Sequence, residues 1–152
     1  MTAKACVIFT SAKEAEADEV MGRLKAEGYE VCAARVPAEI AKAAKDENSS
    51  PPAEVAECLD GAEVCVILVD EDPTVSSGMG GFGGSASDGG CRVVTVGGDP
   101  ENLPSELDDI IDGHVPSPDS PELIDVAAGR PERIKPDNTS APKRDEDRVK
   151  CQ

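Results

Sequence analysis

Short apolar runs alternate with amphipathic stretches along most of this chain, and that alternation leaves few folds open to it. "KACVIFT" (Lys4 to Thr10) is continuously apolar, as expected of a strand covered on both faces. It leads into "SAKE", where Ser11 is placed to cap a helix and Glu14 to reach back to it. Ala17, Val20, Met21 and Leu24 then recur at helical spacing until Gly28. The same unit returns. "YEVCAARV" reads as a second strand and "AEIAKAAKDE" with "SSPPAEVAECLDG" as helical sequence, Ser50 being the cap and the Pro pair lying in the first turn. "EVCVILVD" (Glu63 to Asp70) and "CRVVTVGG" give a third and a fourth strand, "LPSELDDIIDG" a helix, "HVP" a short fifth strand, and "DSPELIDVAAG" a last helix.

Strands that alternate with helices pair in parallel through right-handed crossovers. The expectation is therefore an α/β three-layer sandwich over residues 1–128, with a five-stranded parallel sheet in the flavodoxin-like order 2-1-3-4-5. From residue 129 the pattern stops. "RPERIKPDNTSAPKRDEDRVKCQ" is rich in Pro and charge and poor in apolar residues, which predicts an extended C-terminal arm over residues 129–152. With only two Phe and one Tyr, the core must be filled by Val, Ile, Leu, Ala and Cys.

The formal net charge of −16 argues against a nucleic acid as partner of the body, because phosphate binding needs clustered Lys and Arg. Residues 129–152 carry seven basic and five acidic residues, leaving eight basic against twenty-six acidic in residues 1–128. The tail is thus suited to lie on an acidic surface, its own or a neighbour's, or to be solvated. No apolar run is long enough to span a membrane and no secretory pattern opens the chain, so the expected location is cytoplasmic, free or assembled into a particle made there.

Six cysteines are present without a CxxC pair, and His114 is the only histidine, so no metal site is expected. Cys6, Cys32, Cys65 and Cys91 fall in or beside strands and read as small core residues. Cys58 and Cys151 are the expected exposed thiols, candidates for interaction or cross-linking between chains.

In open parallel sheets ligands bind beyond the carboxyl ends of the strands, at the switch point between the first and third. Thr10 and Ser11 after the first strand, and Asp70 with the glycine-rich stretch after the third, are placed there. Residues 78–83, "GMGGFG", fit the letters of the dinucleotide fingerprint. They follow the third strand rather than the first, and do so after a loop, which is the wrong context for a pyrophosphate. The candidate ligand-binding residues are therefore Thr10, Ser11, Asp70, Gly78, Gly80, Gly81, Gly83 and Gly84, with a nucleotide as candidate ligand and no tightly held cofactor. "LDDIID" reads as the solvated face of its helix.

An acid at the end of the third strand, a loop and then "GMGGFGGSA" resembles the nucleoside 2-deoxyribosyltransferase family and its TIR-like structural relatives. That family carries roughly G-T-x-x-E-x-G-x-A here. Matching Gly78, Gly84 and Ala86 to its two glycines and alanine puts Met79 at the Thr and Phe82 at the catalytic Glu. The resemblance implies a flavodoxin-type fold and chemistry at an N-glycosidic bond, in which the Glu carboxylate engages the sugar. A phenyl ring in that position implies a scaffold retained for binding. The expected function is a non-catalytic binding or assembly module, a subunit of a homo- or hetero-oligomer such as a virion or similar particle, contacting other protein chains through its arm. The alternatives are an enzyme that cleaves the N-glycosidic bond of a nucleoside or NAD-type nucleotide, with Asp70 or Asp72 replacing the Glu, and a nucleotide-sensing domain.

Overall fold

The structure, a computed structural model, describes residues 3–41, 53–70, 72, 75–80, 82, 90–108, 110–130, 132–137 and 139–141. Strand β1 (Lys4–Phe9) is followed by a single 3-10 turn at Ser11–Lys13 and helix α1 (Glu14–Ala26). Then come β2 (Glu30–Arg35), a short helical segment α2 (residues 38–41), α3 (Ala53–Leu59) and β3 (Val64–Leu68). A helical segment α4 (residues 75–80), β4 (Arg92–Val96), α5 (Ser105–Asp108), β5 (Gly113–Val115) and α6 (Leu123–Ala127) complete the alternating part.

The sheet runs β2-β1-β3-β4-β5 in parallel, the order expected from the sequence and in general agreement with a flavodoxin-like topology. It does not stop at five strands. β6 (Arg133–Ile134) adds in parallel to β5 and β7 (Ser140–Ala141) closes the edge antiparallel to β6. The stretch expected to leave the body at residue 129 therefore contributes two strands, and residues 131, 138 and 142–152 of that arm lie outside the described part. Two-residue strands have no periodicity to read, and what anchors β6 is long-range: Ile134 is buried in one core and Arg133 ion-pairs with Asp108.

Alternation along the central strands divides the interior. Cys6 and Ile8 of β1, with Cys65 and Ile67 of β3, face Val55 and Cys58 of α3, Val75 and Met79 of α4, and Leu107 of α5. Ala5, Val7 and Phe9, with Val64, Val66 and Leu68, face Ala17, Val20 and Leu24 of α1 and Leu123 and Val126 of α6. Both faces are covered, which is why these strands are continuously apolar rather than alternating with polar residues.

The start of α1 departs from expectation. Ser11 sits exposed in the 3-10 turn, α1 begins at Glu14, and neither the turn nor the helix has a side-chain cap at its N-terminus. The hydroxyl that acts at this end of β1 is that of Thr10, and it is aimed across the sheet. At the other end of α1, Gly28 takes φ 96° and stops the helix as expected.

Candidate functional site

The carboxyl ends of β1 and β3 are neighbours in the sheet, so the fold brings Thr10 and Asp70 together as the sequence suggested. Thr10 Oγ1 donates to Asp70 Oδ2 at 2.6 Å, and the backbone N–H of Asp72 donates to Asp70 Oδ1 at 2.9 Å. The main chain of Asp70 is fixed as well: its N–H donates to Ser76 Oγ at 3.0 Å, and that hydroxyl donates back to the Asp70 carbonyl at 2.8 Å. Thr10 and Ser76 are buried. Each oxygen of the Asp70 carboxylate thus accepts a hydrogen bond from the chain itself, and the group ties β1, the loop after β3 and the start of α4 into one unit. Charge-assisted bonds of this kind are stronger than neutral ones and favour order in a turn.

Gly78 of the rich stretch has a packing role. A Cβ on Gly78 would lie 1.6 Å from the Ala41 carbonyl oxygen and 2.5 Å from its carbon. Gly78 is there so that α4 can meet the backbone of α2, and Gly80 is buried in the same segment. Met79 and Phe82 are buried in the apolar cluster under α3 and α5, so the ring at the position matched to the family's Glu belongs to the core. Gly81, Gly83, Gly84 and Cys151 lie outside the described residues.

A cleft of about 420 Å³ opens next to the switch point, between the ends of β1 and β2 and the start of α3. Ser11, Arg35, Pro37, Glu39 and Glu54 line it. Arg35 is paired with Glu14 of α1 at 3.4 Å, so the lining is acidic on balance. A smaller cleft of about 180 Å³ lies over the ends of β3, β4 and β5, where Gly97 and Gly98 turn the chain beside Lys13 and Ser117.

Cys58, expected as an exposed thiol, is fully buried, and its Sγ donates to the Cys32 carbonyl at 2.9 Å. Val55 and Cys58 form the inner face of α3, and counting Cys as apolar in that helix would have placed it correctly. Among the described residues every cysteine is a free thiol and no group of three or more His, Cys, Asp or Glu side chains is placed to hold a metal ion. Among the same residues no helix is long and apolar enough to cross a membrane.

A buried polar row on the β4–β6 side has no signature in the sequence pattern. Thr95, His114 and Arg133 are register partners on β4, β5 and β6, level with Ile8 and Ile67 on β1 and β3. One line of side chains thus passes from apolar to polar as it crosses the sheet. His114 Nε2 lies 2.8 Å from the Gly98 carbonyl, which must accept, so Nδ1 accepts from Thr95 Oγ1 at 2.7 Å. This is the neutral ring with both nitrogens satisfied. Arg133 Nη1 donates to the Asp108 carboxylate and Nη2 to the Asp108 carbonyl at 3.2 Å.

Burial holds the His114 pKa down to about 4 from 6.5, the Arg133 charge acting in the same direction against the Gly98 carbonyl. The unfolded chain therefore takes up this proton at higher pH than the native one. The His114 contribution is complete above pH 6.5 and lost as pH falls toward 4, a difference of about 3 kcal/mol. Urea unfolding at pH 7 and pH 4.5 should show this loss in the wild type and a smaller one in His114→Gln. An equal loss in both proteins would show that the native ring is not held neutral.

Compared with known protein families the chain matches none, and no curated protein shows significant similarity to it.

Proposed function

We propose that this chain is a non-catalytic binding or assembly module, built on a scaffold of deoxyribosyltransferase-like or TIR-like kind and working as a subunit of a larger complex in the cytoplasm or in a particle made there. The observation that carries the reading is the state of Asp70. It is the acid best placed for chemistry at the switch point, yet each of its oxygens is already engaged in a hydrogen bond within the chain, from Thr10 and from the Asp72 N–H. Phe82 in the core adds to this, since no carboxylate is offered from the position that the family resemblance would use. Beside the switch point opens a cleft whose lining, with Glu39 and Glu54, is acidic on balance.

Cleavage of an N-glycosidic bond in a nucleoside or NAD-type nucleotide is the second reading, favoured by the cleft beside Ser11 and Arg35, whose volume would admit a nucleoside. A nucleotide sensor is less well supported, because Glu39 and Glu54 would face the phosphates.

Association is tested by sedimentation velocity over a range of protein concentrations, with and without reductant. Growth of the mean mass with concentration is expected for an assembly subunit. A single monomeric mass under every condition would leave self-assembly without support.

A further inference from the structure

The cysteines of this core are not scattered. Cys32, Cys6 and Cys65 occupy one register level on β2, β1 and β3, the three neighbouring strands at one side of the sheet. Cys58 comes down onto this row from α3. Its Sγ donates to the Cys32 carbonyl at 2.9 Å, which sets the α3 thiol against the β2 backbone at Cys32, and Cys6, Cys32, Cys58 and Cys65 pack into one cluster. Cys6, Cys58 and Cys65 are fully buried, whereas Cys32, on the outermost strand, is only half-buried. Of these four thiols, Cys32 is the one a small reagent can reach, and Cys58 is the partner waiting behind it.

The ammonium of Lys4 stands at the same place, held by the carbonyls of Asp60 at 2.6 Å and Glu57 at 3.4 Å. Burial and the Cys58 thiol push the Cys32 pKa up to about 11, and Lys4 pulls in the opposite direction. The Cys6 thiol and burial push Cys58 up as well, again with Lys4 opposing. A thiol of this kind reacts slowly at neutral pH and faster in mild alkali, because the thiolate is the nucleophile.

We propose that Cys32 and Cys58 are a dithiol site that closes to an intramolecular disulfide by exchange with a low-molecular-weight disulfide. The Cys32 thiolate attacks one sulfur of the reagent and expels its other half as a thiolate, leaving a mixed disulfide on Cys32. Cys58, giving its proton to solvent, then attacks the Cys32 sulfur and expels the second half. Two protein thiols are oxidised, one reagent disulfide is reduced to two thiols, and the two protons end on those products.

The bond would join the two walls of the cleft beside the switch point. Glu54, which lines it, lies one helical turn before Cys58 on α3, and Arg35, which also lines it, lies at the end of β2 beyond Cys32. Oxidation would therefore fix the spacing of α3 and β2 on either side of that opening, which ties the redox state of the core to the shape of the candidate binding surface.

The test uses the full chain at pH 8.5 with oxidised glutathione, followed by alkylation of the remaining thiols in denaturant and peptide mapping. Two thiols should be lost per chain, with the peptides of Cys32 and Cys58 linked. Tm should rise by about 10 °C, as expected for cross-linking a loop of this length in a chain of this size, and dithiothreitol should reverse both changes. Cys32→Ser, a mild change at a half-buried site, should abolish the link and the rise in Tm. Glutathione left on Cys32 with Cys58 still free, a bond mapped to any other pair, or a full set of unreacted thiols would each overturn the proposal.

Discussion

Gly78→Ala is expected to destabilise the protein by about 3 kcal/mol or more, lowering Tm by about 10 °C, because the added methyl has nowhere to go. Its carbon would lie 1.6 Å from the Ala41 carbonyl oxygen, and the obstacle is backbone rather than the end of a flexible side chain. Either α4 or α2 must shift, and α4 carries Val75 and Met79 in the apolar cluster with it. Gly22→Ala is the matched control: it lies inside α1 and a Cβ there meets nothing within 4 Å. That substitution should stabilise by about 0.5–1 kcal/mol, since alanine loses less backbone freedom in a helix. Thermal melts of the two variants separate a packing role for Gly78 from general flexibility of the glycine-rich stretch. Near-equal Tm values would show that α4 and α2 do not meet as closely as described.

Arg133→Met should cost about 3–5 kcal/mol, the range for breaking a buried ion pair by removing one partner. The side chains of Arg133 and Asp108 are 6% and 7% exposed, so water cannot replace the lost partner. With the buried Ile134, Arg133 also anchors β6, a strand of two residues, to the body. Loss of the pair should therefore loosen the β5–β6 edge and expose its amides to hydrogen exchange. Adding Asp108→Leu to Arg133→Met should recover at least half of the loss, because apolar groups in place of a buried ion pair avoid the desolvation of its charges. Urea unfolding of the single and double variants measures this. Additive losses would mean that the two residues contribute independently.

Both of these contacts are hidden in the sequence, whereas the central strands and their order are not. β1, β3 and β4 were legible because strands covered on both faces must be apolar at every position, and "CVIF", "VCVIL" and "VVTV" have little else to be. The order of the sheet followed from alternation and crossover handedness. That Thr10 and Asp70 would meet was also legible, since the ends of β1 and β3 are neighbours in the sheet. The use made of them was not readable: Ser11 reads as a cap and Asp70 as a candidate ligand-binding acid, whereas Thr10 donates its hydroxyl to Asp70 and α1 starts without a side-chain cap.

Asp108 and Arg133 were missed for a single reason. Each was assigned to solvent by its own neighbours, Asp108 by the acids of "LDDIID" and Arg133 by the charge and proline around it. Local composition cannot report a pairing between residues twenty-five positions apart. Gly78 is the converse case. A glycine-rich stretch invites a ligand, and the residue that required glycine was Ala41 of another helix. Cys58 followed from the same habit of reading a thiol as reactive before reading it as a small apolar side chain on the inner face of α3.

Base release is the measurement that bears most directly on the proposed non-catalytic role. Purified protein is incubated with deoxynucleosides and with NAD, and free base is followed by chromatography beside an Asp70→Asn variant. With Asp70 engaged by Thr10 and by the loop backbone, neither protein should release base above the buffer control. Turnover by the wild type that disappears in Asp70→Asn would contradict that role and make Asp70 a catalytic acid.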